Sequence, residues 1–364
     1  MKRTIVTMIL LAMAGAAGIY AANSDIRLNS IGYKPQAPKK ASVKSSSPAT
    51  FYVRSYPSGP TRLTATTTLY GVNADTSETI YIADFSSVTE PGTYNVQVNG
   101  IGTSANFTIS EDVFDFSFYT VFRGFYLWRC GTAVSGTHNS TTFSHAACHL
   151  NDAYLTYVGG GNVKVDGTGG WHDAGDYNKY VTNANVTFGV LGKAWEYLRG
   201  NFEGINLNLP ETAPGYPQYL KELKWETDWL LKMQTPDGRV YHKLSSTSFC
   251  CDWTMPENNG EARFYVPYST AATADFVAMM AQAYRLFMPY DPTYANQCLD
   301  AARLSYGRIT TAPDNVNVPA NQTGFSTGSY ATTDTDDRIW AAAEMWESTG
   351  EALFLADFEA RAIA

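Results

Sequence analysis

The chain has 364 residues and a formal net charge of −8, with 34 acidic and 26 basic side chains. This acidic balance, without any basic stripe, argues against nucleic acid and against an anionic membrane surface as partners. Aromatic residues make up 14% of the chain, and such rings either stack on sugars or fill cores, so the composition permits a carbohydrate ligand without demonstrating one.

The first 22 residues are typical of a secretory signal. Lys2 and Arg3 give a positively charged start, residues 5–17 form an apolar run, and Ala21 stands at an acceptable cleavage site. The apolar run is too short to cross a bilayer comfortably, and no later run approaches that length. We therefore expect a secreted protein that is free of the membrane once the signal is removed, or one that is tethered by something not visible in the sequence. We also expect it to be a monomer.

Residues 23–110 are rich in Ser, Thr, Val and Tyr and poor in helix formers. Short alternating runs recur there, bounded by turn residues such as Glu90-Pro91-Gly92 and Asn99-Gly100. The runs cover residues 50–54, 62–69, 78–83, 94–98 and 104–109. This rhythm predicts a small all-β sandwich.

The composition changes near Glu111, and from there apolar residues recur at helical spacing. The pattern predicts helices over residues 113–129, 186–198, 216–233, 271–287, 294–306, 334–348 and from 352 onward. Segment 271–287 is apolar nearly all round, which is typical of a helix buried on both sides in a ring of helices. We expect residues 111–364 to form an all-α domain with long functional loops at 131–182 and 235–268. Because the chain ends inside a helical pattern, we also expect a truncated sequence.

Two carboxylates, Asp173 and Asp176, lie three residues apart. Gly175 would allow a tight bend, so that both carboxylates can face one small volume of solvent. Two carboxylates at close range resist simultaneous ionisation, which separates their pKa values and suits one of them to act as a base. The alternative is a turn in which the aspartates only bind their own backbone.

Two cysteines and two histidines precede this segment in the sequence. They are Cys130, Cys148, His149 and His172. Two thiolates and two imidazoles suit a closed structural zinc site, which would hold the loop of the two aspartates in place. The alternative is a Cys130–Cys148 disulfide with two unrelated histidines, which export would favour.

The sequence Trp-His-Asp-Ala-Gly-Asp-Tyr-Asn-Lys-Tyr at 171–180 resembles the signature of glycoside hydrolase family 9, the inverting cellulases built on a twelve-helix (α/α)6 barrel. Further segments that are similar to the family lie at 125–131, 229–243, 255–257, 269–276 and 338–344. The β-rich part, with Pro-Gly-Thr-Tyr at 91–94, resembles the immunoglobulin-like domain that precedes the barrel in one subgroup. The resemblance implies an N-terminal immunoglobulin-like sandwich at 23–110, followed by an incomplete (α/α)6 barrel at 111–364.

Carried over position by position, the resemblance gives Asp176 the role of the general base that deprotonates the attacking water. It gives Asp173 the role of the carboxylate that helps to hold this water. It also favours structural zinc over the disulfide, with the ligands Cys130, Cys148, His149 and His172. The family's general acid is a Glu near the C-terminal end of the barrel, and no residue after Gly350 matches it.

The resemblance therefore implies a β-1,4-glucanase, an endoglucanase acting on cellulose or related β-glucans, whose acid is missing from this chain. The chain alone should then be inactive, because inversion needs an acid and a base. A cellodextrinase or xyloglucanase of the same family is one alternative. Another is a non-catalytic carbohydrate-binding or adhesion protein that has kept half a barrel.

Several other residues could bind a metal ion or contact sugar, and some of them could instead have a purely structural role. Members of the family bind calcium near the helix start that carries Asp334, Asp336 and Asp337 here. The alternative is that these residues cap the helix and favour its dipole, with Asp334 at the N-cap and Asp337 at N3. Contacts with sugar are expected at Tyr177, Tyr180, His242 and Trp253. His242 could equally pack under its loop. Among the remaining cysteines, the neighbours Cys250 and Cys251 are unsuited to a bridge with each other, and Cys298 has no evident partner.

Overall fold

The computed structural model describes residues 22–211, 215–250, 253–316 and 322–363. The expected secretory signal falls almost entirely on residues 1–21, and Cys251 likewise lies outside the described residues. The chain divides into two compact units, one up to Phe118 and one from Tyr119 onward. Within the described ranges, no helix has the length and apolar character needed to cross a membrane.

The first unit consists of two β-sheets that share one core. Its strands are β1 (Ile26–Arg27), β2 (Gly32–Tyr33), β3 (Lys40–Lys44), β4 (Thr50–Ser55), β5 (Thr61–Thr66), β6 (Thr68–Val72), β7 (Thr79–Asp84), β8 (Gly92–Val98), β9 (Gly102–Thr103) and β10 (Phe107–Ile109). One sheet has the order β1-β3-β7-β6, and the other has the order β2-β10-β8-β4-β5 with β9 paired to β8. Inward side chains of both sheets, among them Val43, Phe51, Tyr81 and Val96, meet in the core. The predicted β domain is confirmed.

One predicted strand is two strands in the structure. The run predicted over 62–69 divides at Thr67 into β5 and β6, which belong to different sheets. Thr67 is buried at this crossing, and it exchanges two hydrogen bonds of 2.9 and 3.0 Å with the backbone of Ala49. Nothing in the sequence indicated the crossing, because threonine suits a strand in either sheet.

Seven α-helices are described after strand β10. They are α1 (Asp115–Leu127), α2 (Val181–Phe202), α3 (Gln218–Lys232), α4 (Thr270–Phe287), α5 (Pro292–Thr311), α6 (Thr335–Thr349) and α7 (Ala352–Ala362). Helix α4 is buried along nearly its whole length and packs against α2, α5 and α6. Its first turn is capped by Ser269, whose Oγ accepts a hydrogen bond from Ala272 N over 3.0 Å. The predicted helical domain is confirmed.

The long loops of the helical unit contain strands that the sequence did not predict. A hairpin pairs β11 (Val134–His138) with β12 (Thr141–His145). A second small sheet joins β13 (Lys179–Tyr180), β14 (Lys243–Ser245) and β15 (Phe264–Tyr265). Because β13 directly follows the segment of the two aspartates, this sheet ties that segment to the 235–268 loop.

Candidate active site and metal site

The loop that carries the two aspartates is closed by its own hydrogen bonds. Asp173 N donates to Asn178 O over 3.0 Å, and Asn178 N donates to Oδ1 of Asp176 over 2.9 Å. The bend attributed to Gly175 does not require glycine, because its φ lies outside the left-handed region and a Cβ there would meet no atom within 4 Å. One oxygen of Asp176 thus makes the backbone turn that was the alternative interpretation, and its other oxygen has a different partner.

Side-chain hydrogen bonds orient both carboxylates. Asp173 accepts from Asn183 Nδ2 over 2.9 Å at Oδ1 and from the Tyr330 hydroxyl over 3.1 Å at Oδ2. Oδ2 of Asp176 accepts from the Tyr180 hydroxyl over 3.1 Å. The two tyrosine rings pack edge-to-face, with their centroids 4.7 Å apart. The two carboxylates are therefore linked through a pair of contacting rings.

Asp173 lies at the wall of a cavity of about 290 Å³. The wall also includes Trp128, Trp171, Tyr180 and Glu226. Burial raises the pKa of Asp173, and the nearby charge of Asp176 acts in the same direction, against the hydrogen bonds that Asp173 accepts. Asp173 therefore holds a proton more readily than a solvent-exposed aspartate does.

The predicted metal ligands come together in the structure. The candidate ligand atoms of Cys130, Cys148, His149 and His172 all lie within 4.8 Å of one another. Cys130 Sγ is 3.8 Å from His149 Nδ1, and Cys148 Sγ is 3.5 Å from His172 Nε2. Both cysteines are free, so the structure does not contain the alternative disulfide between them.

These four side chains fit a zinc ion. With the usual Zn–S and Zn–N bond lengths, sulfur and nitrogen at two corners of a tetrahedron lie about 3.6 Å apart, close to both observed separations. Burial opposes ionisation of Cys130, but a hydrogen bond from the Cys148 thiol and the charge of Lys179 outweigh it and hold the pKa of the Cys130 thiol well below its ordinary value, while the same hydrogen bond and burial raise the pKa of Cys148. The thiolate is the form that binds metal.

Arg263 connects the cluster to the loop of the two aspartates. Its Nη1 donates to the carbonyl oxygen of Tyr177, and its Nη2 lies 3.9 Å from Cys130 Sγ and 2.6 Å from Oδ2 of Asp152. The same carbonyl oxygen lies 3.1 Å from His172 Nδ1. One backbone oxygen next to Asp176 is thereby held both by a candidate metal ligand and by a buried arginine.

The residues expected to contact sugar have different surroundings. His242 is 1% exposed, and its ring nitrogens lie 2.8 Å from Ser269 Oγ and from the Ser329 carbonyl oxygen. Burial lowers the pKa of His242 to about 4, and this setting favours the packing alternative. Trp253 is fully exposed, whereas Tyr180 is buried. Tyr177 packs on the His172 ring with a centroid distance of 5.0 Å.

The three aspartates at the start of α6 have different surroundings. Asp334 Oδ2 accepts from Asn315 N and from Arg338 Nε, each over 2.9 Å, and makes no cap hydrogen bond to the helix. Asp336 is exposed, while Asp337 interacts with Asp275 of α4. Asp334 stands at the N-cap position, but its carboxylate binds Asn315 and Arg338 and does not cap the helix, so this part of the alternative is wrong. Asp336 and Asp337 do lie in the first turn, where negative charge suits the helix dipole.

Three residues of the site were not predicted from the sequence. Asn183 stands in the first turn of α2, ten positions after Asp173, and its place near the predicted loop was a usable signal. Arg263 and Tyr330 lie in segments without periodicity, and nothing in the sequence connects them with residues 173–177.

The sequence matches two known family descriptions. Residues 116–364 match "Glycosyl hydrolase family 9", and residues 21–103 match "Cellulase N-terminal ig-like domain". Endoglucanase D of Acetivibrio thermocellus is 53% identical over 346 residues, which are 94% of this chain and 54% of that protein. The chain thus spans about half the length of this curated relative.

Solved structures of similar proteins agree in fold. A metagenome-derived glycoside hydrolase family 9 endoglucanase matches with a TM-score of 0.84 and 34% identity, over 93% of this chain and 63% of that chain. A Zn-binding triple mutant of the GH family 9 endoglucanase J30 matches with a TM-score of 0.83 and 32% identity, over 90% of this chain and 62% of that chain.

Proposed function

The chain belongs to glycosyl hydrolase family 9, and on that premise we propose that it is part of a β-1,4-glucanase, an endoglucanase that hydrolyses cellulose or related β-glucans with inversion. The observation that carries the proposal is the pair Asp173 and Asp176, held in one loop beside a cavity with aromatic walls. A β-glucan chain has apolar sugar faces that suit such walls and a scissile bond that needs a carboxylate base.

In an inverting glycosidase, one carboxylate activates a water molecule while a carboxylic acid about 6.5–9.5 Å away protonates the departing oxygen. We assign the activation of water to Asp176 and the holding of that water to Asp173. The water attacks the anomeric carbon from the face opposite the leaving group, so the configuration inverts. The general acid is proposed to lie in the part of the family that this chain does not span, together with the helices that complete the barrel.

We further propose that Cys130, Cys148, His149 and His172 hold zinc. A site with four protein ligands is closed, so the metal would serve structure rather than the chemistry of hydrolysis. When bound, zinc would fix the ring of His172 and, through it, the backbone next to Asp173. Arg263 supports the same loop from the side of Tyr177.

Calcium stays in the proposal as a prediction for Asp334, Asp336 and Asp337. Support comes from Oδ1 of Asp334 and Oδ2 of Asp337, which are buried without a hydrogen-bond partner. Buried carboxylate oxygens of this kind are costly unless a proton or a cation satisfies them. Elemental analysis of the purified protein, after dialysis against metal-free buffer, distinguishes zinc alone from zinc with calcium.

We propose that residues 1–22 direct secretion and that the mature protein is a monomer whose partner is the polysaccharide. The N-terminal sequence of the exported protein tests the first point, and size-exclusion chromatography tests the second. A start at residue 1 in the culture medium would contradict the signal.

Hydrolysis is tested in the full-length protein that contains this chain. Asp176→Asn should abolish the release of reducing ends from a soluble cellulose derivative and leave binding intact, because the amide cannot accept the proton of water. Asp300→Asn, at an exposed position on α5, is the matched control and should keep full activity. Retained turnover in Asp176→Asn would remove Asp176 from its role. Binding without turnover in the unsubstituted full-length protein would favour the non-catalytic alternative.

A further inference from the structure

The four side chains of the Cys-His cluster are unequally enclosed. Cys130, Cys148 and His172 are 0%, 2% and 5% exposed, whereas His149 is only half-buried. His172 is also held from behind, since its Nδ1 lies 3.1 Å from the carbonyl oxygen of Tyr177. His149 lacks this support, because its Nδ1 faces Cys130 and its Nε2 is buried without a hydrogen-bond partner.

This difference makes His149 the weakest point of the cluster. A hydrogen bond to the second ring nitrogen normally fixes the orientation of a metal-binding histidine and strengthens it as a ligand. A ring without such a bond loses least when it rotates, and in His149 rotation would also release a nitrogen that is buried without a partner.

There is space for the rotated ring. His149 lies at the wall of a cavity of about 310 Å³, which we call the His149 cavity, and its wall also includes Asp152, Lys164, Gly260 and Glu261. Gly260 and Glu261 are exposed, so the cavity reaches the surface. Among the residues that the structure describes, Cys130, Cys148 and His172 do not line this cavity.

A rival route exists on the other side of the cluster. His172 lines the 290 Å³ cavity that also contains Asp173. That side is closed by the burial of His172 and by the position of its Nδ1 against the Tyr177 carbonyl, so opening it would break a contact that His149 does not have.

We propose that His149 is the gate of the metal site: its ring rotates into the His149 cavity, and zinc is taken up and released by that route. The inference rests on the proposed binding of zinc by the four residues. Cys130, Cys148 and His172 form the part of the site that stays in place during exchange.

The experiment measures metal exchange and needs no hydrolysis. The chain is loaded with Zn²⁺, its zinc content is determined by elemental analysis, and release is followed with an excess of a chromophoric chelator. Uptake is followed with Co²⁺, whose thiolate charge-transfer absorption reports on cysteine ligation. Absence of a stoichiometric metal in the unsubstituted protein would overturn the proposed zinc site itself.

Gly260→Phe adds a ring at the wall of the His149 cavity, where it narrows the space left for the rotated His149 ring. A Cβ at this position would meet no atom within 4 Å, so the backbone can accept the substitution. We expect uptake and release to slow about tenfold, roughly 1.4 kcal/mol in the barrier, while the equilibrium affinity stays the same, because both directions use one route. Lys164→Ala removes a long side chain from the same wall and should accelerate both.

Gly124→Phe is the matched control. Gly124 lines the 290 Å³ cavity on the His172 side, and a Cβ there would also meet no atom within 4 Å. It should leave the exchange rates unchanged. Slow exchange in Gly124→Phe with normal exchange in Gly260→Phe would place the route past His172 and overturn the proposal. If Gly260→Phe does not fold, Lys164→Ala decides, and unchanged or slower release in that variant contradicts the gate.

Discussion

Tyr330 donates a hydrogen bond to Oδ2 of Asp173 over 3.1 Å, although the two residues are 157 positions apart in the chain. The Tyr330 ring packs edge-to-face on Tyr180, and the Tyr180 hydroxyl donates to Asp176. Two phenol groups in contact therefore hold the two carboxylates, and a segment far along the chain completes the site built by residues 171–180.

Tyr330→Phe should impair hydrolysis without unfolding the protein. The lost hydrogen bond favours the ionised form of Asp173, so its removal raises the pKa of Asp173 further. Hydrogen bonds to charged groups are worth about 1.5–3 kcal/mol, so we expect kcat/KM to fall roughly ten- to a hundredfold. The acid limb of its pH profile should move to higher pH. Both quantities are measured in the full-length protein on a soluble cellulose derivative.

The matched control for this prediction is Tyr197→Phe, since Tyr197 lies on α2 and is 82% exposed. It should keep the kinetic constants and the pH profile. A Tyr330→Phe variant with an unshifted acid limb would mean that the hydroxyl does not influence the carboxylate that limits the reaction.

Loss of zinc from the proposed metal site should destabilise the helical unit. Metal binding to a site that is absent from the unfolded chain adds directly to the free energy of folding. Chelator treatment and Cys148→Ser should each lower the melting temperature and abolish the zinc content. Cys298→Ser, at a buried cysteine on α5 outside the cluster, should retain the zinc. An unchanged melting temperature, together with a Cys130–Cys148 bridge in mass mapping, would contradict the metal site.

Much of the fold follows from local patterns in the sequence. The period-two runs before residue 110 and the helical spacing after it reflect which face of each element is buried. In an element such as α4, every turn carries apolar residues at the buried positions, so the sequence pattern reveals the helix. The crossing at Thr67 was missed because its cause is not local: the partner of Thr67 is the backbone of Ala49. The small strands in the loops depend in the same way on distant segments.

The residues of the candidate site likewise fall into those that could be predicted from local sequence and those that depend on distant segments. Asp173, Asp176 and the Cys-His set could be predicted, because the chemistry requires those residue types and most of them are close in sequence. Arg263 and Tyr330 could not, because their roles arise only when loops from distant parts of the chain meet. His242 was a candidate for contact with sugar, but in the structure it is buried and its ring nitrogens lie within hydrogen-bond distance of Ser269 and Ser329.

Ser269→Ala should reveal how His242 is used. Ser269 Oγ caps α4 through Ala272 N over 3.0 Å, and it lies 2.8 Å from His242 Nδ1. Loss of an N-cap costs about 1 kcal/mol, and loss of a buried hydrogen bond costs about as much again. We expect the free energy of unfolding to fall by roughly 2 kcal/mol in denaturant titrations, with little change for Thr311→Ala at the exposed end of α5. A fall of about half that size would mean that His242 does not depend on Ser269.

Glu226 should make the stability of the helical unit depend on pH. It is 2% exposed, and burial raises its pKa to about 8, even though its Oε2 accepts a hydrogen bond from Trp171 N over 2.7 Å. The folded state therefore holds this proton more tightly than the unfolded state, where the value is 4.5. The resulting contribution to stability is complete below pH 4.5 and is lost as the pH rises through 8.

Glu226→Gln keeps the hydrogen-bond acceptor and removes the ionisation. Its free energy of unfolding should lack this pH dependence, and at pH 9 it should exceed that of the unsubstituted protein by a few kcal/mol, since each pKa unit is worth about 1.4 kcal/mol. Glu222→Gln is the contrasting control, because Glu222 pairs with buried Arg129 over 2.9 Å and its loss should destabilise the protein at every pH. Denaturant titrations from pH 5 to 9 measure both. Equal pH dependence in Glu226→Gln and the unsubstituted protein would show that Glu226 is already ionised in the folded state.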